Sequence, residues 1–250
     1  MAILQTPVAV EEPKIGGRGP TIIPPRRDDG RGGGGGGRPD DYRDRIRRYR
    51  IGMFFAMASI VMLFVAFSSA YIVRQGVGTW DQQTNRYVTD WVPVRIPGIL
   101  WLNTVVLLVS SATLYMARRG LAKRVARNQA TSSKRSSVLM IAGKDPVPWL
   151  GITLVLGLAF VAGQLIAWKQ LAEQRIFIST NPSSAFFYVL TAAHALHLLG
   201  GVTALAYAAL TSALNKPLVT RFVVVDVTSL YWHFMGFLWI YIFALLHFAR

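Results

Sequence analysis

Five side chains in this 250-residue chain can do acid–base or ligand chemistry from within long apolar stretches: His194, His197, His233, His247 and Asp226. The first two stand three residues apart in TAAHALHLLGG, Thr191 to Gly201. On a helix, residues i and i+3 lie on nearly one face, so both imidazoles can enter one crevice. Asp226 and His233 are seven apart, two turns along one face, and can look inward together. Three kinds of chemistry suit such a set. A third histidine completes a zinc or copper site; an ionisable chain relays protons; or hydrogen-bonded imidazoles join helices.

Composition weighs against the first two. A metal site needs further close ligands and an outer acceptor on each ring, but Asp226 is the only acidic residue inside the apolar spans and the chain has no cysteine. Iron–sulfur clusters, disulfides and thiolate sites are excluded. A pump or transporter usually needs several intramembrane ionisable groups. The favoured reading is a structural polar cluster of His194, His197, His233, Asp226 and Gln164, with Tyr188, Asn103 and Trp232 as packing or hydrogen-bond partners and no metal. On that reading His194→Ala destabilises assembly by leaving a partner unpaired.

The elements that must position these groups are membrane helices. The chain is 52% hydrophobic and 16% charged, with a mean hydropathy of +0.37. A bilayer core of about 30 Å takes about 20 apolar helical residues, and five segments qualify: about 51–73, 98–117, 148–171, 183–210 and 218–248. Pro97, Pro148 and Pro182 stand at or just before helix starts, where a missing N–H costs nothing. The last two spans exceed what the bilayer requires, which implies tilt or protrusion. No segment alternates as a β-barrel strand does. The expected fold is all-α, a polytopic bundle of five transmembrane helices over residues 47–250.

Residues 1–46 read as a disordered Gly/Arg/Pro-rich tail, too poor in apolar surface to offset its ordering entropy. The tail lacks the apolar core of a signal peptide. The net charge of +15 falls on particular loops and not on a nucleic-acid face, so no nucleic acid is expected. Arg and Lys crowd the tail, the loop after span two (Arg118, Arg119, Lys123, Arg124, Arg127) and the loop after span four (Lys216, Arg221). That asymmetry puts the N-terminus in the cytoplasm and the C-terminus outside. Arg118, Arg119 and Arg221 are candidates for lipid headgroups. Small residues such as Gly157, Gly163 and Gly201 permit close helix approach.

Two stretches carry a family likeness. FFYVLTAAHALHLLGG (Phe186–Gly201) followed by DVTSLYWHFMGFLWIYIF (Asp226–Phe243) resembles subunit III of the haem–copper cytochrome oxidases, whose forms read F-x-x-T-G-x-H-x-x-H-V and Y-W-H-F-V-D-x-x-W. GMFFAMASIVMLFVAFSSAY and LNTVVLLVSS resemble two further helices of that family, and Gln164 sits where the family has a glutamine. The likeness runs from about Ile51 to Phe248. Departures are equally specific: Ile60 stands where the family has an intramembrane glutamate, Ala167 replaces the glutamate of Q-x-x-E, and Gly236 replaces an aspartate. The family's two additional N-terminal helices are also missing, as in five-helix bacterial forms.

The resemblance implies a non-catalytic subunit of an aerobic terminal oxidase in the bacterial inner membrane. Electrons would pass from cytochrome c to oxygen, coupled to proton pumping. This chain would carry no cofactor, with haem and copper in partner subunits and bound phospholipid possible. Expected partners are subunit I by direct packing, subunit II and a small subunit IV. It would stabilise subunit I and support proton uptake or oxygen access. An accessory protein of nitric oxide reductase or another respiratory complex is the alternative; an independent transporter fits less well.

Overall fold

A computed structural model of the chain describes residues 39–88, 91–94, 96–133 and 147–248. The tail expected over residues 1–46 lies outside the described residues up to position 38; Pro39 already opens the first helix. Five long helices follow in order: α1 (Pro39–Gly76), α2 (Ile99–Ser133), α3 (Val147–Glu173), α4 (Pro182–Ala213) and α5 (Leu218–Phe248). All five are long and apolar enough to cross a membrane. At 1.5 Å per residue the 31 residues of α5 extend about 46 Å, more than a bilayer core, as expected for the last two spans.

α5 is the most buried helix and packs against α1, α2 and α4. α2 leans on α3, and α3 on α4, which closes a ring around the core. α1 rests on α4 and α5. Because the membrane-crossing part of each helix is apolar on every side, an amphipathic stripe cannot choose the inward face there; small residues and hydrogen bonds do. Gly157 and Gly201 both lie against the fully buried Trp232, and Gly163 against the side chain of Asn103. Hydroxyls along the helices are satisfied by carbonyls one turn back, as in Ser68 to Phe64 and Thr191 to Phe187, both 2.7 Å, so they enter hydrocarbon without an orphaned donor.

Helix starts follow local chemistry. At α4, Asn181 Oδ1 accepts from the Ser184 amide at 2.7 Å while Ser184 Oγ accepts from the Asn181 amide at 3.2 Å. With Pro182 in the first turn this is a reciprocal cap that satisfies two orphan donors.

Two features depart from the sequence reading. α2 does not stop at Ala117 but continues to Ser133, so Arg118, Arg119, Lys123, Arg124 and Arg127 lie on a helix and not on a loop. Ala117, Leu121 and Val125, one turn apart, are buried; that stripe, in a stretch of good helix formers, carries the helix beyond the apolar run. Between α1 and α2 a short hairpin pairs β1 (Thr79–Asp81) with β2 (Arg86–Val88), with Trp80 opposite Tyr87. Their rings meet edge-on at 5.0 Å. The Thr84 hydroxyl and the Gln83 amide donate to Asp81 and hold its carboxyl below the usual range. Such two-strand signals are easily lost beside long helical runs.

Candidate functional site

Asp226 sits eight residues after Leu218, where α1, α2 and α5 converge. Its carboxylate is 1% exposed and receives three charge-assisted hydrogen bonds. Arg50 of α1 donates from Nε and Nη2 at 2.8 and 2.9 Å, a bidentate fork, and Arg118 of α2 donates from Nε at 2.7 Å. Two guanidinium groups on one buried carboxylate leave a local charge of about +1, tolerable because both arginines are more than a third exposed and reach screening water or headgroups. The chemistry is that of a clamp joining three helices.

Farther along α5, two indoles fix its register on α2. Trp232 Nε1 donates to Ser110 Oγ and Trp239 Nε1 to Thr104 Oγ1, both at 3.0 Å. On the α4 side the Tyr231 hydroxyl donates to the His197 carbonyl at 2.9 Å. Thr113 and Thr153 hydroxyls bridge α2 and α3 at 2.9 Å; Trp168 Nε1 donates to Thr191 Oγ1 at 3.1 Å between α3 and α4.

The five residues expected as one polar cluster are not brought together. The carboxylate of Asp226 bonds arginines, not histidines. His194 is fully buried, its ring 6.1 Å from Phe160 of α3 and 5.2 Å from Trp239 of α5. His197 turns the other way, towards Phe64 of α1 at 6.0 Å, with Nδ1 2.7 Å from the Ala193 carbonyl. His233 lines a small cavity between α2 and α5 with Thr104, Leu107, Ser111, Gly236 and Phe237. Gln164 is buried on α3, and among the described residues its amide, like both ring nitrogens of His194, has no hydrogen-bond partner. The three other proposed partners bond elsewhere: Tyr188 to the Ile176 carbonyl, Asn103 to the Phe160 carbonyl and Trp232 to Ser110. Among the described residues no three His, Cys, Asp or Glu side chains gather as a metal site.

His194→Ala therefore destabilises by a lost packing contact and not by a lost hydrogen bond to another residue. Among the described residues no hydrogen-bond partner is left unpaired; the loss comes from an emptied space between Phe160 and Trp239. A large-to-small change of this kind costs about 2–4 kcal/mol. Thermal melting of the detergent-solubilised chain should fall clearly for His194→Ala and much less for His194→Phe, which refills the aromatic stack.

The residue missed in the sequence is Arg50. It closes the run RDRIRRYR, which reads as a surface charge. A signal was present: a lone acid at one end of the spans requires a cation from that same end, and Arg50, Arg118 and Arg221 are the nearest in predicted depth. Arg118, a lipid-headgroup candidate, turns inward to Asp226. Arg119 is exposed, and Arg221 is buried with Nε lacking a partner among the described residues.

Comparison with known proteins agrees with the residue pattern. A family model described as cytochrome c oxidase subunit III matches residues 44–249. The probable cytochrome c oxidase subunit 3 of Nocardia farcinica is 28% identical over 203 residues, covering 80% of this chain and 87% of the relative. The subunit 3 of Corynebacterium diphtheriae is 24% identical over 204 residues, with 80% and 87% coverage. That of a Synechocystis species is 25% identical over 205 residues, with 81% and 75% coverage.

Proposed function

Because the chain belongs to the cytochrome c oxidase subunit III family and is thus subunit III of a haem–copper oxidase, a multi-pass membrane protein working among other oxidase subunits, we propose that it acts without a redox centre of its own. It braces subunit I during turnover and supports proton uptake or oxygen access there. Haem and copper belong to the partner subunits, with subunits I and II and a small subunit IV as neighbours and cytochrome c as the donor. The observation that carries this reading is the packing of the two family stretches on each other. Trp239 covers His194, Tyr231 bonds the His197 carbonyl, and Trp232 fills the approach of Gly201. The motif residues thus join α4 to α5 as packing and hydrogen-bonding groups, which supports a structural role.

The N-terminal side of α1 and the α4–α5 turn face the cytoplasm and the C-terminus faces outward; the Lys and Arg asymmetry supports this. His194, Gln164, His197, His233 and Asp226 serve as interior structural groups, the last through arginines. Phospholipid binds near the cytoplasmic end. A groove of about 540 Å³ between α1, α4 and α5, lined by Tyr49, Met53, Gly200, Ala204, Val223 and Val227 with Arg45 at its rim, supports that. Arg119 and Arg221 are the headgroup candidates that remain outside the clamp.

Purification through a tag on this chain in mild detergent tests the assignment. The expected preparation contains a haem-bearing subunit by mass spectrometry and absorbance; a preparation that carries no haem protein overturns the proposal.

A further inference from the structure

Gln164 of α3 and His194 of α4 are 2% and 0% exposed. All four of their polar atoms, Oε1 and Nε2 of the amide and Nδ1 and Nε2 of the imidazole, lack a partner among the described residues. Buried polar groups are almost always hydrogen-bonded, to protein or to ordered water. The neighbouring polar side chains are committed elsewhere. Thr191 donates to the Phe187 carbonyl at 2.7 Å and accepts from Trp168 Nε1 at 3.1 Å. Thr104 accepts from Trp239 Nε1 at 3.0 Å, and Asn103 donates to the Phe160 carbonyl.

Helix register brings the two groups to one level. Trp168 meets Thr191 and Gly157 lies against Val202, so α3 and α4 run antiparallel between those contacts. Within that stretch Gln164 stands one turn before Trp168 and His194 one turn after Thr191. The ring contact of His194 with Phe160 at 6.1 Å agrees, because Phe160 and Gln164 are four apart on one face of α3. Trp239 lies over the imidazole at 5.2 Å and, with Phe160, keeps it from turning towards a distant carbonyl. Ala167 and Thr191, both fully buried, flank the pair with short side chains between the bulkier Phe160 and Trp168. Bulk solvent does not reach this layer. His194 stands twelve residues into α4 and Gln164 nine before the end of α3, about 18 and 14 Å along the helices, inside an apolar core about 30 Å thick. Hydrocarbon offers neither group a partner.

We infer that Gln164 and His194 together hold a bound water between α3 and α4, a hydration site sealed within the membrane-crossing part of the bundle. A water has two donors and two acceptor sites, so it accepts from the amide N–H and donates to the acceptor nitrogen of the imidazole. The bridge joins α3 to α4 between the Trp168–Thr191 bond and the Gly157–Val202 contact. The inference goes beyond the reading of the chain as subunit III and does not depend on it.

High-resolution cryo-electron microscopy of the wild-type tagged preparation tests it directly. A solvent peak is expected within about 3.2 Å of a polar atom on each side chain. No such peak, or a direct contact between Gln164 and His194, overturns the inference. Energetic coupling gives a second readout, the midpoint of heat-dependent aggregation of the tagged chain in solubilised membranes. Gln164→Leu and His194→Phe each leave the other group without its share of the bridge, so each lowers the midpoint. The double variant removes both polar groups and the water together, and is expected to melt no lower than the worse single variant. Packing defects alone would add, so a double variant that melts below both singles overturns the inference, as do single variants that melt like the wild type.

Discussion

Removing both arginines from Asp226 is expected to disrupt the bundle far more than removing either one. In Arg50→Ala or Arg118→Ala, one guanidinium still neutralises the carboxylate, and the lost partner is over a third exposed and well screened. Each single change should cost about 1 kcal/mol. The double variant leaves a 1%-exposed carboxylate with no cation, the situation in which a broken buried pair costs about 3–5 kcal/mol. Asp226→Asn should fall between, since Asn still accepts from one arginine and the freed cations can turn outward. Thermal or SDS-titration melting of the purified chain reads the order, and additivity of the two single variants would sink the clamp. Arg50→Lys should rescue only part of the loss, because an ammonium cannot reproduce the two-pronged contact made by Nε and Nη2. With the clamp open, α1 loses its ion pair to α5 and depends on its remaining packing on α4 and α5.

Gly157→Ala should be strongly damaging for a single added methyl in the bundle core. The new Cβ would lie 2.7 Å from Cη2 and 3.2 Å from Cζ2 of Trp232. That indole is fully buried and tied to Ser110 through Nε1, so it cannot swing aside without breaking the bond that sets α5 against α2. Overpacking of this kind costs about 1–3 kcal/mol, offset only slightly by the better helix propensity of alanine. Gly151→Ala is the matched control: nothing lies within 4 Å of its Cβ, and it should be neutral or stabilising by about 0.5–1 kcal/mol. If the two variants melt together, the seating of the Trp232 indole against Gly157 of α3 is wrong.

Several parts of this structure were legible before any coordinates. Proline placement at 182 and the long apolar runs locate four helix starts to within a residue or two. The end of α2 was not legible, because charge at Arg118 and Arg119 masks a buried stripe that continues through Leu121 and Val125. The hairpin at Thr79–Val88 was missed because short strands give weak signals. The histidine cluster was drawn too tightly: spacing of three puts His194 and His197 on nearly one helix face, yet α4 is flanked by α3 and α5 on one side and α1 on the other, so neighbouring positions face different helices.

The sequence by itself determined that this is a five-span membrane protein of the subunit III family, because span length, hydropathy and the H-x-x-H and Y-W-H-F stretches are local properties. Tertiary structure alone decided what each polar group meets. The partners of Asp226 lie 108 and 176 residues away, and His233 lines the small α2–α5 cavity while the imidazole of His194 is sealed in an aromatic stack. Helices apolar on every side carry no record of their inward face; glycine contacts and two indole hydrogen bonds fix rotation and register, and that choice assigns the partners.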